Sequence, residues 1–272
     1  VSAEVVDIRS LIPLDMEISD FKPTPVIDKL IAKGYTKSEL DGPIEPVKKR
    51  VYPPGKQPIA GIFRTTPTEY AHFLISHINL GMYKGNRILK EETAREIQKL
   101  QFSGGTSRNG MGLGFFRQWK YDQLELFHTG TGHGFLAVIA MYPLLKLAIV
   151  IFTNMAGPHD WRNQIRGDVL QILLGKYQVF TPETIRVESP PSHWNKLVGT
   201  YAASFGLWEW GIKSYIEIKD GYLILKKGEG RRFEESYLKK IDDERYLTRG
   251  GIHDGRELTF EYDKEGKAKQ YD

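Results

Sequence analysis

Phe127-His128-Thr129-Gly130-Thr131-Gly132-His133-Gly134-Phe135 is the stretch on which the fold turns. An apolar run, Leu124 to His128, leads into it, and a second, Phe135 to Tyr142, leads out. Glycines at alternate positions relieve the backbone of Cβ atoms where another body must come close. The segment therefore reads as two antiparallel strands joined by a glycine-rich turn, with an imidazole, hydroxyls and free amides facing the gap. Three readings of that gap stay open on the residues alone. Gly130-x-Gly132-x-Gly134 has the look of a dinucleotide fingerprint, but that device must feed a helix, and here a strand follows. His128, His133 and His159 could gather around a metal, though their spacing is not that of a helical pair and no Asp or Glu cluster completes them. The third reading is a tight turn whose histidines are merely exposed.

Outward from this stretch the pattern alternates strands and helices. Leu113 to Trp119 precedes it as a further strand, and Leu147 to Phe152 follows it. Ala148-Ile149-Val150-Ile151-Phe152 is apolar without alternation, which predicts a strand buried on both faces. Asp160 to Leu174 repeats Trp161, Ile165, Val169, Ile172 and Leu173 at helical spacing, and that face is expected to lie on the sheet. Upstream, Thr66-Pro67-Thr68-Glu69 is a capping box that opens a helix carrying Phe73, Leu74, His77 and Ile78 and stopped by Gly81. Lys90 to Leu100 is a second amphipathic helix. Val1 to Lys56 is proline-studded loop around one short helical stretch, Pro25 to Lys33.

Downstream the texture changes. Lys176 to Trp194, with Pro182, Pro190 and Pro191, reads as an extended linker. From Leu197 the chain is all-β, with Asp220-Gly221 as a hairpin turn between Ile216–Lys219 and Tyr222–Leu225. Tyr237 to Ile241, Tyr246 to Thr248 and Leu258 to Tyr262 continue at short intervals, the pattern of a small barrel. Trp208, Trp210, Tyr215 and Tyr222 are expected in its core. The fold class is thus α+β: an antiparallel sheet with flanking helices over 1–177, a linker over 178–194, and a small all-β barrel over 195–272.

Composition narrows the function classes. In 272 residues, 40% are hydrophobic and 26% charged, a globular balance. The net charge of +4 is spread, and the basic runs Lys48-Lys49-Arg50 and Arg231-Arg232 are short, so no nucleic-acid partner is expected. The absence of cysteine excludes disulfides, zinc thiolates and a Cys nucleophile. Charge-rich, cysteine-free composition leans toward a protein of a hot environment. No apolar run has the length a membrane helix needs, and Leu144 to Phe152 is interrupted by Lys146, so no membrane helix is expected. Val1-Ser2-Ala3-Glu4 shows neither a basic leader nor an apolar core, and a cytoplasmic location is the expectation.

Several motifs occur in a specific order. Ile12-Pro13-Leu14-Asp15-Met16 resembles a Pro-Leu-Gly-Met segment, with Asp15 in place of Gly. Ile59-Ala60-Gly61-Ile62-Phe63-Arg64-Thr65-Thr66 resembles an Ala-Gly-Gly-Leu-x-Ser-Thr segment, and Asn86-Arg87-Ile88-Leu89 a Gly-x-Arg-Ile-Leu segment. Gly110-Met111-Gly112-Leu113-Gly114-Phe115, His128-Thr129-Gly130 and Thr153-Asn154 follow. Together they resemble the C-terminal half of the class C β-lactamase-like, penicillin-binding (CubicO) serine hydrolases, a family that includes D-amino-acid peptidases and esterases. The likeness covers about Ile8 to Gly175. The trailing barrel is similar to the lipocalin-like domain of an archaeal self-compartmentalising serine peptidase of that family.

The resemblance implies an acyl-enzyme mechanism on a peptide substrate, no cofactor and no metal, and a homo-oligomer. His128 would stand at the third-motif cation position. Thr129 would offer its hydroxyl to substrate, the amide of Thr131 would supply half of an oxyanion hole, and Gly130 and His133 would line the site. The family's Ser-x-x-Lys and Tyr-x-Asn motifs are not recognisable. No Tyr-x-Asn occurs, and Ser-x-x-Lys occurs only at Ser19 and Ser236, in a proline-broken loop and on a strand. The nucleophile is therefore expected on an N-terminal half of the same protein that pairs with this chain.

Overall fold

A computed structural model describes residues 11–21, 24–37, 42–48, 61–103, 109–132, 134–156, 161–177, 180–202, 213–229, 232–251 and 254–271. Its helices are α1 (Pro25–Leu30), α2 (Pro67–Ile78), α3 (Glu91–Gln98) and α4 (Trp161–Leu173). The strands before the linker are β1 (Tyr35–Thr36), β2 (Glu45–Pro46), β3 (Met82–Tyr83), β4 (Asn86–Arg87), β5 (Gly110–Met111), β6 (Phe116–Lys120), β7 (Gln123–Gly132), β8 (Phe135–Tyr142), β9 (Leu147–Thr153) and β10 (Met155–Ala156). After it come β11 (Gly199–Ala202), β12 (Lys213–Lys219), β13 (Tyr222–Glu229), β14 (Arg232–Lys240), β15 (Arg245–Arg249), β16 (Glu257–Tyr262) and β17 (Ala268–Tyr271). The chain forms two compact units, Val1–Lys99 with Leu126–Arg162, and Leu100–Glu125 with Asn163–Asp272.

In the first unit β7, β8 and β9 run antiparallel, with Leu126 opposite Met141 and Tyr142 opposite Leu147. Apolar residues on both faces of β8 bury most of it, whereas β9 is only half-buried along most of its length. Expected burial of β9 on both faces is thus corrected. Helix α2 lies on this sheet through Tyr70, whose ring meets that of Phe152 edge-on at 5.9 Å. Thr66 caps α2 by accepting the amide of Glu69 at 3.2 Å. The other half of the capping box does not form. The Glu69 carboxylate instead accepts the amide of Ile18 at 3.0 Å and the hydroxyl of Ser19. A long-range loop contact has replaced a local one.

Ile12–Leu14 makes one 3-10 turn that ends at Asp15 in the left-handed region, φ 55°. This conformation explains why glycine is the usual residue of that motif, and aspartate is among the few others that tolerate it. Leu11, Leu14, Met16 and Tyr83 pack there with Phe63, Phe73 and Ile88. Ile59 and Ala60 of the second motif lie outside the described residues.

In the second unit the expected strand Leu113–Trp119 is split. Gly112 to Phe115 forms a turn, closed by Gly112 N to Phe115 O at 2.8 Å, with Gly114 at φ +80°. Strands β6 and β7 are joined through Tyr121 and Asp122, both left-handed at φ 50° and 61°. A tyrosine in that region is unusual. It is held there by a 2.5 Å hydrogen bond from its hydroxyl to Asp254 and by Gly255, where any Cβ would overlap the Tyr121 ring.

The seven strands β11 to β17 pair in sequence order, each antiparallel to the next. The first and last approach each other, with the rings of Tyr201 and Tyr271 at 5.3 Å, so the sheet nearly closes. Alternation along β13, β14 and β16 turns Leu223, Leu225, Leu238, Leu258 and Phe260 inward around Trp194, Tyr201 and Tyr246. Asp220 and Gly221, at φ 54° and 83°, make the hairpin turn that the sequence announces. Tyr215 and Tyr222 are half-buried and outside this core, and Trp208 and Trp210 lie outside the described residues. Among the described residues no helix is long and apolar enough to cross a membrane.

Candidate active site

Strand β7 continues four residues beyond the expected end at His128. Gly130 and Gly132 are not a turn but strand residues, opposite Ala137 and Phe135. Gly134, at φ +81°, makes the reversal, and a Cβ there would stand 2.7 Å from the Tyr35 amide nitrogen. His133 lies outside the described residues.

Period-two alternation then sorts the site. His128, Gly130 and Gly132 share one face of β7, while Thr129 and Thr131 share the other. His128 is exposed, and its Nδ1 lies 2.8 Å from the Thr129 carbonyl oxygen. The glycines beside it are not demanded by packing. A Cβ on Gly132 would meet nothing within 4 Å, and one on Gly130 only the Ala137 Cβ at 3.7 Å. At Gly132 this face is open among the described residues.

The opposite face is organised by a residue that sequence reasoning passed over. Arg162, at the start of α4 and 4% exposed, donates through Nη1 to the carbonyls of Gly130 and Ala137, each at 2.6 Å. Its Nη2 lies 3.4 Å from the Thr131 hydroxyl. Backbone oxygens that no strand partner could satisfy as strongly are thus bound to a guanidinium, which fixes β7 against β8. The Thr129 and Thr131 hydroxyls therefore do not join His128 on one wall. What Thr131 can present alongside the imidazole is backbone.

This use of Arg162 also overturns the expected orientation of α4. Arg162, Arg166, Leu170 and Gln171 are buried, whereas Ile165, Ile172 and Leu173 are 43%, 58% and 58% exposed. The buried arginines have fixed targets. Arg166 Nε lies 3.3 Å from the carboxylate of Glu125, a side chain with no exposure, which also accepts from Gln118. Lys120 is buried in the same cluster. Its burial, offset in part by Glu125, brings its pKa down to about 8.

Thr153-Asn154 closes β9. The Asn154 carbonyl accepts the Tyr35 amide at 2.8 Å, and its side chain donates to Lys33 O at 3.0 Å, which ties β1 and its approach to the end of the sheet. Of the two Ser-x-x-Lys matches, Ser19 is not helical and is bonded to Thr65 and Glu69. Ser236, on β14, donates to Gly250 O at 2.9 Å. Ser236 and Lys239, three apart on a strand, point to opposite faces, and Lys22 lies outside the described residues. Among the described residues no three His, Asp or Glu side chains gather to hold a metal, and His133 and His159 fall outside them.

The fold has known counterparts. The octameric penicillin-binding protein homologue from Pyrococcus abyssi is 19% identical, with a TM-score of 0.52, over 95% of this chain and 56% of its own. A class C β-lactamase mutant is 17% identical, with a TM-score of 0.50, over 62% of this chain and 52% of its own. The chain spans about half the length of these structures. Both likenesses are of fold. The β-lactamase family model matches residues 3–172, and the chain belongs to that family. Comparison with curated protein sequences gives no match.

Proposed function

We propose that this chain forms one wall of an acyl-enzyme site in a serine hydrolase acting on peptides. The observation that carries the reading is the open face of β7 at Gly132. Glycine in a strand interior costs roughly 0.5–1 kcal/mol relative to alanine, and no packing among the described residues repays it at Gly132. The space is explained by a substrate backbone lying beside His128, with the Thr131 amide donating to the oxygen that becomes an oxyanion. Such a donor is worth about 2.7–4 kcal/mol of barrier. His128 serves as the proton-handling or carboxylate-binding cation of the third motif.

In this reading residues 1–177 are the C-terminal part of the catalytic domain, 178–194 the linker and 195–272 the barrel. The serine is supplied by an N-terminal half of the same protein. The exposed Ile165, Ile172 and Leu173 on α4 support a further segment in the native protein, because apolar side chains in such a row are ordinarily covered. A homo-oligomer is supported by the octameric Pyrococcus abyssi homologue.

The test is covalent labelling of the native protein with a fluorophosphonate and with a β-lactam, followed by peptide mapping. A single serine outside this chain, phosphonylated by the first probe and acylated by the second, and labelled at least tenfold more slowly in His128→Ala, is the expected result. Labelling of Ser19 or Ser236 would put the nucleophile in this chain and sink the reading, and no labelling at all would leave a peptide-binding protein of the same fold.

A further inference from the structure

A cavity of about 290 Å³ lies on the barrel, lined by His193, Lys196, Lys240, Asp243, Tyr246 and Tyr262, with Gly266 at its edge. Its construction follows from the local sequence. Ser192–Lys196 is a single 3-10 turn, in which side chains three apart eclipse, so His193 and Lys196 project from the same side. Trp194 between them is buried in the barrel core and anchors the turn. Lys240 and Tyr246 are directly opposite each other on β14 and β15. Lys196 Nζ stands 3.6 Å from where a Cβ on Gly266 would be, which sets it over the 263–266 turn.

The charges in this cavity do not balance. Asp243 pairs with Lys240 at 2.8 Å, but its side chain is 99% exposed, so the pair is solvent-screened and weak. Lys196 has no ion-pair or hydrogen-bond partner among the described residues. Tyr246, raised to about 12 by burial, and Tyr262, also raised by burial, keep their phenolic protons at neutral pH and remain donors. Two lysines, a histidine and two tyrosines thus line a space at the small end of the range for ligand sites.

We propose that this cavity binds the anionic group of a small ligand, a carboxylate or a phosphate, with Lys196 and Lys240 as its cationic contacts and the two tyrosines as neutral donors. The site is formed by the barrel and the 3-10 turn that leads into it, and is independent of the acyl-transfer reading.

Amide chemical shifts of the full chain, titrated separately with inorganic phosphate, acetyl-dialanine and acetyl-dialanine amide, test this. Saturable shifts at Lys196, Lys240 and Gly266 are expected. Each of Lys196→Gln and Lys240→Gln should weaken binding about tenfold, as loss of one charge-assisted contact implies, and Asp243→Asn should leave it equal or tighter. Response to phosphate alone assigns a phosphate ligand. Response to the dipeptide acid but not its amide assigns a carboxylate, and response to both assigns a general anion site. No saturable shift with any probe overturns the proposal, as does unchanged affinity in both lysine variants at wild-type melting temperature.

Discussion

Lys120 rests directly on the backbone of α4 at Gly167, where an added Cβ would stand 2.9 Å from Nζ and 3.5 Å from Cε. Lys120 is 2% exposed and its charged surroundings include Glu125, Arg166, Asp168 and Asp254, which restrict its withdrawal. Gly167→Ala gains about 1 kcal/mol of helix propensity but overpacks a fixed charge, which typically costs about 1–3 kcal/mol. The net expectation is a lower urea midpoint at unchanged slope. An unchanged or raised midpoint would mean that Lys120 repacks at no cost.

The same lysine makes stability depend on alkaline pH. Its folded pKa of about 8 lies below the unfolded value of 10.5, so between these pH values the unfolded chain binds the extra proton. Its contribution is fully present above 10.5, and is lost as pH falls through about 8. Lys120→Met should therefore close the gap at neutral pH, and the wild type should gain about 3 kcal/mol on the variant between pH 8 and 10.5. Urea titrations of both proteins across that range would show it.

His77 acts at the acid end. Burial against the sheet brings its pKa from 6.5 down to about 4, and its ring meets Phe73 at 4.5 Å. Its contribution is complete above pH 6.5 and lost as pH falls through 4, because the unfolded chain protonates first. The expected loss is about 3 kcal/mol. In His77→Gln that part of the acid transition should vanish, with the remaining carboxylate titrations unchanged.

Gly132 and Arg162 separate stability from function. Gly132→Ala has room for its methyl and should raise stability by about 0.5–1 kcal/mol, while slowing acylation if substrate lies on that face. Arg162→Ala removes a charged donor from two partly buried hydrogen bonds, and a cost of about 2–3 kcal/mol is expected in thermal unfolding. A Gly132→Ala protein that is both more stable and fully reactive would refute the role given to the open face.

What was legible in the sequence was what local chemistry dictates. Asp220-Gly221 announced its hairpin because left-handed residues are few, and Thr66 announced the start of α2 because a cap acts three residues away. The family was legible because short motifs kept their order. The rest depended on distant partners. Glu69 left its capping box for Ile18 and Ser19, a choice no local window contains. The apolar residues of α4 suggested one buried face, but Arg162 and Arg166 took it because their acceptors, Gly130 O, Ala137 O and Glu125, lie elsewhere in the chain. The opposite facings of His128 and Thr129 could have been read from alternation once β7 was known to run through Gly132, but glycines there suggested a turn.

Near-closure of β11 against β17 bears on how the barrel assembles. Every other pairing in that sheet joins neighbours in the chain, so hairpins can form quickly and one at a time. Only the seam at Tyr201 and Tyr271 requires the whole segment to be looped, and its entropic cost falls on a few aromatic contacts. Those contacts should therefore form last during refolding and be the first to open in hydrogen exchange.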